Sequence, residues 1–102
     1  MQTRRLGWTD LELTVIGFGT WAHGGGGWRY SWGPQDDGES IAAIQRALDL
    51  GINWIDTAPV YGLGHAEEVL GRALRERRAR PLVATKCGLV WDKDGRIDNC
   101  LT

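Results

Sequence analysis

Between Gly51 and Lys86 the chain alternates short apolar runs with a helical stretch, and that order leaves few folds open. The runs NWID (53–56) and LVATK (82–86) are too short for helices. They are apolar at their centres, as parallel strands covered on both faces must be. Between them Ala66, Val69, Leu70, Ala73 and Leu74 recur at helical spacing, which predicts a helix over 66–77. Glu67 and Glu68 occupy its first turn and arginines its last, matching the helix dipole at both ends. Pro81 opens the second run. Strands joined through a helix pair in parallel, so the expected class is α/β.

The upstream half extends the series. Residues 4–6 and 11–13 flank the turn GWTD and read as a short hairpin. VIGFGT (15–20) reads as a buried strand. A long loop, WAHGGGGWRYSWGP, follows, with Gly24, Gly25, Gly26 and Gly27 leaving its backbone almost unrestrained. Asp36 with Glu39 three residues on is a capping-box-like helix start. Ile41, Ile44 and Leu48 give that helix one apolar face, and Gly51 supplies its stop. The order is hairpin, β, α, β, α, β. Three parallel strands and two helices make a lopsided layer with a bare edge, as expected of part of a larger domain. The tail WDKDGRIDNCLT is polar and turn-rich and is expected to be poorly ordered.

Composition excludes several classes of function. A formal net charge of −1 favours neither nucleic acid nor an anionic membrane as partner. The cluster Arg72, Arg75, Arg77, Arg78 and Arg80 reads as the solvated end of a helix, interrupted by Glu67, Glu68 and Glu76, rather than as a phosphate patch. No stretch approaches the roughly 20 apolar residues of a membrane span. The basic start has no apolar segment behind it, so it is not a signal peptide. Cys87 and Cys100 are too few and unpatterned for disulfides or a metal site, and a reduced cytoplasmic setting follows. Cys87, beside Lys86, is expected to be a small buried residue at a strand end. Six tryptophans are many for 102 residues. Trp21, Trp28, Trp32 and Trp91 fall in expected loops, where aromatic rings wall clefts or cover the ends of a core.

Two signals point to chemistry. Gly17, Gly19 and Ala22 satisfy G-x-G-x-x-A, the outline of a dinucleotide fingerprint. That motif needs a helix to start at the turn, and here the helix begins about fourteen residues too late. The acid expected about 20 residues on is also misplaced, since Asp56 lies nearly twice that far from Gly19. The glycines then serve close backbone turning, under a cofactor or at the mouth of a barrel. The second signal is stronger. Asp56 and Lys86 end successive strands, and Tyr61 lies in the loop after the first, so all three meet at one face. A phenol with an ordinary pKa of about 10 gives up its proton poorly near neutrality. A lysine ammonium nearby favours the phenolate, and a carboxylate holds the lysine in place. This combination suits protonation of a carbonyl oxygen as hydride reaches its carbon. Alone, each residue also has a plain reading: Asp56 capping a turn at Ala58, Tyr61 packing on Trp54, Lys86 as a surface charge.

The same residues carry a family resemblance. GINWIDTAPVYGLGHAEEVLGRAL resembles the first signature of the aldo-keto reductases: an Asp followed by Thr-Ala, a Tyr five residues on, a Glu six or seven later, and Leu-Gly before Arg-Ala-Leu. RRLGWTDLELTVIGFGTW is similar to that family's N-terminal hairpin and first barrel strand, and VATKCG to the strand bearing its lysine. WGPQDD resembles bacterial members acting on sugars, polyols and general aldehydes. The resemblance implies a (β/α)8 TIM barrel, present here as its N-terminal part and incomplete, with residues 1–102 a partial reductase domain. It implies NADPH as cofactor, or NADH in some members, and a small-molecule carbonyl substrate. Asp56, Tyr61 and Lys86 become catalytic, with Tyr61 the proton donor. Gly19, Thr20, Trp21 and Asp56 become cofactor-binding residues, and Trp28 and Trp91 candidates for the substrate wall. The family's fourth catalytic residue, a histidine after a fourth strand, has no counterpart here. His23 and His65 stand beside the wrong strands, and His65 reads as a loop or first-turn residue.

Two readings of different class follow. In the first, the chain opens an NAD(P)H-dependent carbonyl reductase and is inactive as an isolated 102-residue piece. In the second, it is a non-catalytic module that binds NADPH or self-associates through its exposed strand edge.

Overall fold

The computed structural model describes residues 1–75 and 77–101. Glu76, placed above in the second helix and against the basic run, and Thr102 lie outside the described residues. Strands β1 (Thr3–Arg5) and β2 (Glu12–Thr14) form the antiparallel hairpin, one residue displaced from the expected bounds. Strands β3 (Phe18–Gly19), β4 (Trp54–Asp56) and β5 (Leu82–Ala84) form a parallel sheet in chain order. Helix α1 (Asp37–Asp49) connects β3 to β4, and α2 (His65–Leu74) connects β4 to β5. The expected α/β series is therefore present.

Local signals set the helix ends. The Asp36 carboxylate accepts a hydrogen bond from Glu39 N at 2.9 Å, which satisfies one of the free N–H groups of the first turn. Asp36→Ala is expected to lower stability by about 1 kcal/mol in urea unfolding. Gly51, with φ of 101°, takes the left-handed position after α1, and its N–H donates to Leu48 O. The helices pack on each other and on the sheet. Ile44, Val69, Leu70, Ala73 and Leu74 close over Ile55, with Phe18, Ile41 and Leu48 at the margin. Ile44, Ile55 and Val69 are fully buried.

The hairpin is tied to the amino end of β4. Asn53 Oδ1 accepts from Thr14 N at 3.0 Å, Asn53 Nδ2 donates to Glu12 O at 2.8 Å, and Trp54 Nε1 donates to Thr14 O at 2.9 Å. Gly17 belongs to this packing. A side-chain carbon there would fall 2.3 Å from the Trp54 indole, so the glycine admits a ring rather than turning under a cofactor or capping a barrel mouth.

Four expectations are corrected. Only Phe18 and Gly19 of the 15–20 run are strand, and Val15 and Ile16 are exposed, for the contacts of Asn53 and Trp54 fall on Thr14 at the end of the hairpin instead. β5 is exposed along its length, for it is the sheet's outer strand and has a partner on one side only. The tail is ordered: β6 (Leu89–Trp91) and β7 (Ile97–Asn99) pair antiparallel around a turn in which Asp92 Oδ1 accepts from Asp94 N and Arg96 N. The glycine-rich loop is also held. Trp21 Nε1 donates to Tyr30 O at 2.8 Å, while Trp28 Nε1 and Ser31 Oγ both donate to Gly25 O. Among the described residues no helix is long and apolar enough to cross a membrane.

A single-turn helix, Trp21–Gly24, follows β3. Its His23 is buried, stacks on Phe18, and shares a 2.6 Å hydrogen bond between Nδ1 and Ser40 Oγ. Burial pushes the His23 pKa below its ordinary 6.5. The unfolded chain then binds the proton more readily, so this contribution to stability is full above pH 6.5 and declines as pH falls below it. Thermal melts of the wild type should show that acid slope, and His23→Gln should flatten it.

Candidate active site

The carboxyl ends of β3, β4 and β5 bring the expected acid and base together. Asp56 is the last residue of β4, paired in register with Gly19 of β3 and Ala84 of β5. Lys86 lies two residues past β5, and its Nζ donates to Asp56 Oδ1 at 2.8 Å, Asp56 Oδ2 at 2.9 Å and Thr57 O at 2.8 Å. Three acceptors match the three protons of an ammonium. Burial works against the charged form of Lys86, but the hydrogen bonds and charges of Asp56 and Tyr61 outweigh it, and the pKa is raised above 10.5. Lys86 is therefore a cation throughout the physiological range.

Tyr61 reaches this pair from a tightly wound loop. Gly62, Leu63 and Gly64 all have left-handed φ, at 66°, 53° and 102°. Tyr61 N donates to Ala58 O, and Ala66 N to Tyr61 O, so the loop runs straight into α2. The Tyr61 ring is buried, and Lys86 Nζ lies 5.1 Å from its centroid. Its aromatic neighbours are Trp21 at 5.3 Å and Trp28 at 6.2 Å, which replaces the plain reading of packing on Trp54.

These groups border a cavity of about 340 Å³. Trp21, Trp28, Tyr30, Val60 and Leu89 supply apolar wall, and Tyr61 and Lys86 the polar end. A compact apolar hollow with a few convergent polar groups is the usual form of a small-molecule site. Trp32 stacks on Trp21 from the solvent side, and Trp91 sits in β6, bordering a different hollow with Asp92 and Arg96. Of the two expected wall tryptophans, Trp28 lines the cavity and Trp91 does not. Cys87 is exposed and borders the cavity, against the expected burial, because the chain leaves the sheet before it.

The residues expected near a cofactor separate into two kinds. At Gly19 an added side-chain carbon would meet nothing within 4 Å, so the end of β3 leaves open space beside Asp56. Trp21 presents its ring to the cavity. Thr20 is fully buried, and its hydroxyl donates to Asp56 O at 3.1 Å and Thr57 Oγ1 at 2.8 Å. Thr57 stands in the Thr-Ala of the signature, but its hydroxyl bond to Thr20 and its carbonyl bond to Lys86 had no signal in the sequence. Tyr30 was unremarked inside a loop that carries no periodicity. His65 opens α2, bonded to Asp37 at 2.8 Å, and His23 is committed to Ser40.

A cation fixed on a carboxylate beside a phenol thus stands at the carboxyl ends of parallel strands, over an apolar cavity. The sequence profile of the aldo/keto reductase family matches residues 15–102, and the chain belongs to that family. It is 47% identical over 85 residues to the aldo-keto reductase YhdN of Bacillus subtilis, covering 81% of this chain and 24% of that protein. It is 45% identical over 96 residues to the NADH-specific methylglyoxal reductase of Escherichia coli, covering 92% of this chain and 28% of that protein. Its structure superposes on the glycerol dehydrogenase AKR11B4 of Gluconobacter oxydans with a TM-score of 0.77 at 46% identity, over 96% of this chain and 30% of that one. The chain thus spans 24–30% of the length of these relatives.

Proposed function

We propose that residues 1–102 are the opening part of an NAD(P)H-dependent reductase that converts small aldehydes or ketones to alcohols in the cytoplasm. The observation that carries this reading is the Lys86 ammonium, bound to Asp56 and 5.1 Å from the Tyr61 ring centroid, at the polar end of the cavity. The hairpin and the parallel order β3-β4-β5 would be the base and first three strands of a (β/α)8 barrel.

The site fits a nicotinamide. The open space at Gly19 admits a flat ring against the backbone, and Gly19, Trp21 and Asp56 would hold it there. Thr20 would take part only by supporting the floor beneath it, since its hydroxyl is turned inward, its N–H donates to Asp56 O and its carbonyl accepts from His23 N. When bound, the reduced nicotinamide supplies the hydride. Tyr61 holds the proton destined for the carbonyl oxygen. Lys86 stabilises the negative charge left on the phenol, and Asp56 keeps the ammonium in position. Trp21, Trp28 and Val60 give that end of the cavity an apolar wall, while the Lys86 and Asp56 side chains remain 47% and 40% exposed. An NADH-specific methylglyoxal reductase and a glycerol dehydrogenase among the relatives support small carbonyl compounds and their alcohols as the substrate class, and both coenzymes belong in the test.

The experiment is a coenzyme-oxidation assay on the native protein, with NADPH and NADH each paired against methylglyoxal, glyceraldehyde and benzaldehyde. Saturable oxidation with at least one pair is expected. Coenzyme binding without turnover on any of them would favour the non-catalytic module instead.

A further inference from the structure

Thr20 and Thr57 form a hydroxyl pair that no site assignment above has used for chemistry. Thr20 is 0% exposed and Thr57 1% exposed, so the pair is sealed from solvent. Thr20 Oγ1 donates to Thr57 Oγ1 at 2.8 Å and lies 3.1 Å from Asp56 O, an arrangement that shares one proton between two acceptors. Thr20 N also donates to Asp56 O at 3.1 Å. On the other side, Thr57 N donates to Ala84 O at 2.8 Å. The Asp56–Thr57 peptide unit is therefore tied on both sides, its carbonyl to Thr20 just past β3 and its N–H to Ala84 of β5, and the Thr57 side chain is held by Thr20 as well. The next carbonyl along, Thr57 O, faces outward and is the third acceptor of the Lys86 ammonium at 2.8 Å.

We infer that Thr20 and Thr57 are positioning residues, whose buried hydroxyl pair fixes the Thr57 carbonyl as the neutral arm of the cradle that holds Lys86. This rests on the reading of Lys86 as part of the proton-delivery site. A carboxylate alone neutralises an ammonium and lets it swing, because a flexible four-carbon stem carries the charge. A carbonyl adds a fixed direction without adding a second negative charge. The three acceptors together leave Nζ one place to sit, over the Tyr61 ring. An open carbonyl direction also explains why the residue after the acid is a small β-branched one with a hydroxyl. Its side chain must turn inward to Thr20 while its main chain turns outward to the lysine.

The test is independent of turnover. Lysine labelled with ¹³C at Cε and ¹⁵N at Nζ is incorporated into the native protein, and the Lys86 signal, assigned through Lys86→Arg, is titrated in wild type, Thr20→Val, Thr57→Val and Thr20→Ser. Valine keeps the shape and removes the hydroxyl; serine keeps the hydroxyl. The inference expects the Lys86 midpoint to move down in both valine variants and to return in Thr20→Ser. Where the protein turns over a carbonyl substrate, kcat should fall by about tenfold in the same two variants, the scale of one hydrogen bond. A lower melting temperature with an unmoved Lys86 titration would overturn it, leaving the pair a packing element. If Thr20→Val does not fold, Thr57→Val decides alone. A shifted lysine in a protein with no reductase activity would uphold the cradle and remove only the proposed reaction.

Discussion

Tyr61→Phe is expected to lower carbonyl turnover by about 10²–10⁴-fold, the range of a lost general acid. The substitution removes one oxygen and keeps the ring, so the packing against Trp21 at 5.3 Å and Trp28 at 6.2 Å persists. Melting temperature should therefore stay near the wild-type value. Coenzyme binding, followed by quenching of tryptophan fluorescence, should also persist, because Trp21 and the open end of β3 are untouched. The loss should fall on kcat more than on KM, since the proton moves only on the way to the alcohol. Steady-state rates for both proteins on one aldehyde measure it. A loss smaller than about tenfold would mean that water or another group delivers the proton.

The acid, the phenol and the lysine were legible because each is marked locally. Asp56 closes an apolar run, Lys86 closes the next, and Tyr61 stands in a Pro- and Gly-bearing loop between them. Strand ends in a parallel α/β layer share one face, so order along the chain was enough to bring them together. The limits of α1 were legible for the same reason, since Asp36 and Gly51 act on their own backbone neighbours, whereas α2 spans His65–Leu74 and stops short of the expected 77. What escaped depended on partners far along the chain. The burial of Thr20 and Thr57 needs β3 beside β4, and nothing in either residue's own neighbourhood announces a hydroxyl pair 37 positions apart. The tail hairpin was overlooked although Asp94-Gly95 is a turn signal. Its flanks, LVW and IDN, are only three residues each and too mixed to show a period. Gly17 was misread for the opposite reason. It matched a motif, but its cause is the Trp54 ring, which sequence spacing cannot place.

Gly62→Ala is expected to be the most destabilising single-methyl addition in the site, and it links the two loops that shape the cavity. Gly62 has φ of 66°, where an L side chain costs roughly 1–2 kcal/mol. Its added carbon would also fall 2.2 Å from Gly24 O and 2.6 Å from Gly24 Cα. Those are backbone atoms at the end of the single-turn helix that carries Trp21, so no side chain can swing aside. Forced overpacking of this kind adds about 1–3 kcal/mol. Together the two effects should lower the melting temperature by about 10 °C or more in a domain of this size. Gly71→Ala is the matched contrast. Gly71 lies inside α2, an added carbon there meets nothing within 4 Å, and helix propensity alone should raise stability by roughly 0.5–1 kcal/mol. Because Tyr61 precedes Gly62 and Trp21 opens the opposing turn, whatever of Gly62→Ala stays folded should also bind coenzyme less tightly. Equal melting temperatures for the two alanine variants would show that the Gly24–Gly62 approach is not rigid. The loops would then be free to separate, and the cavity wall would owe its shape to the tryptophans instead.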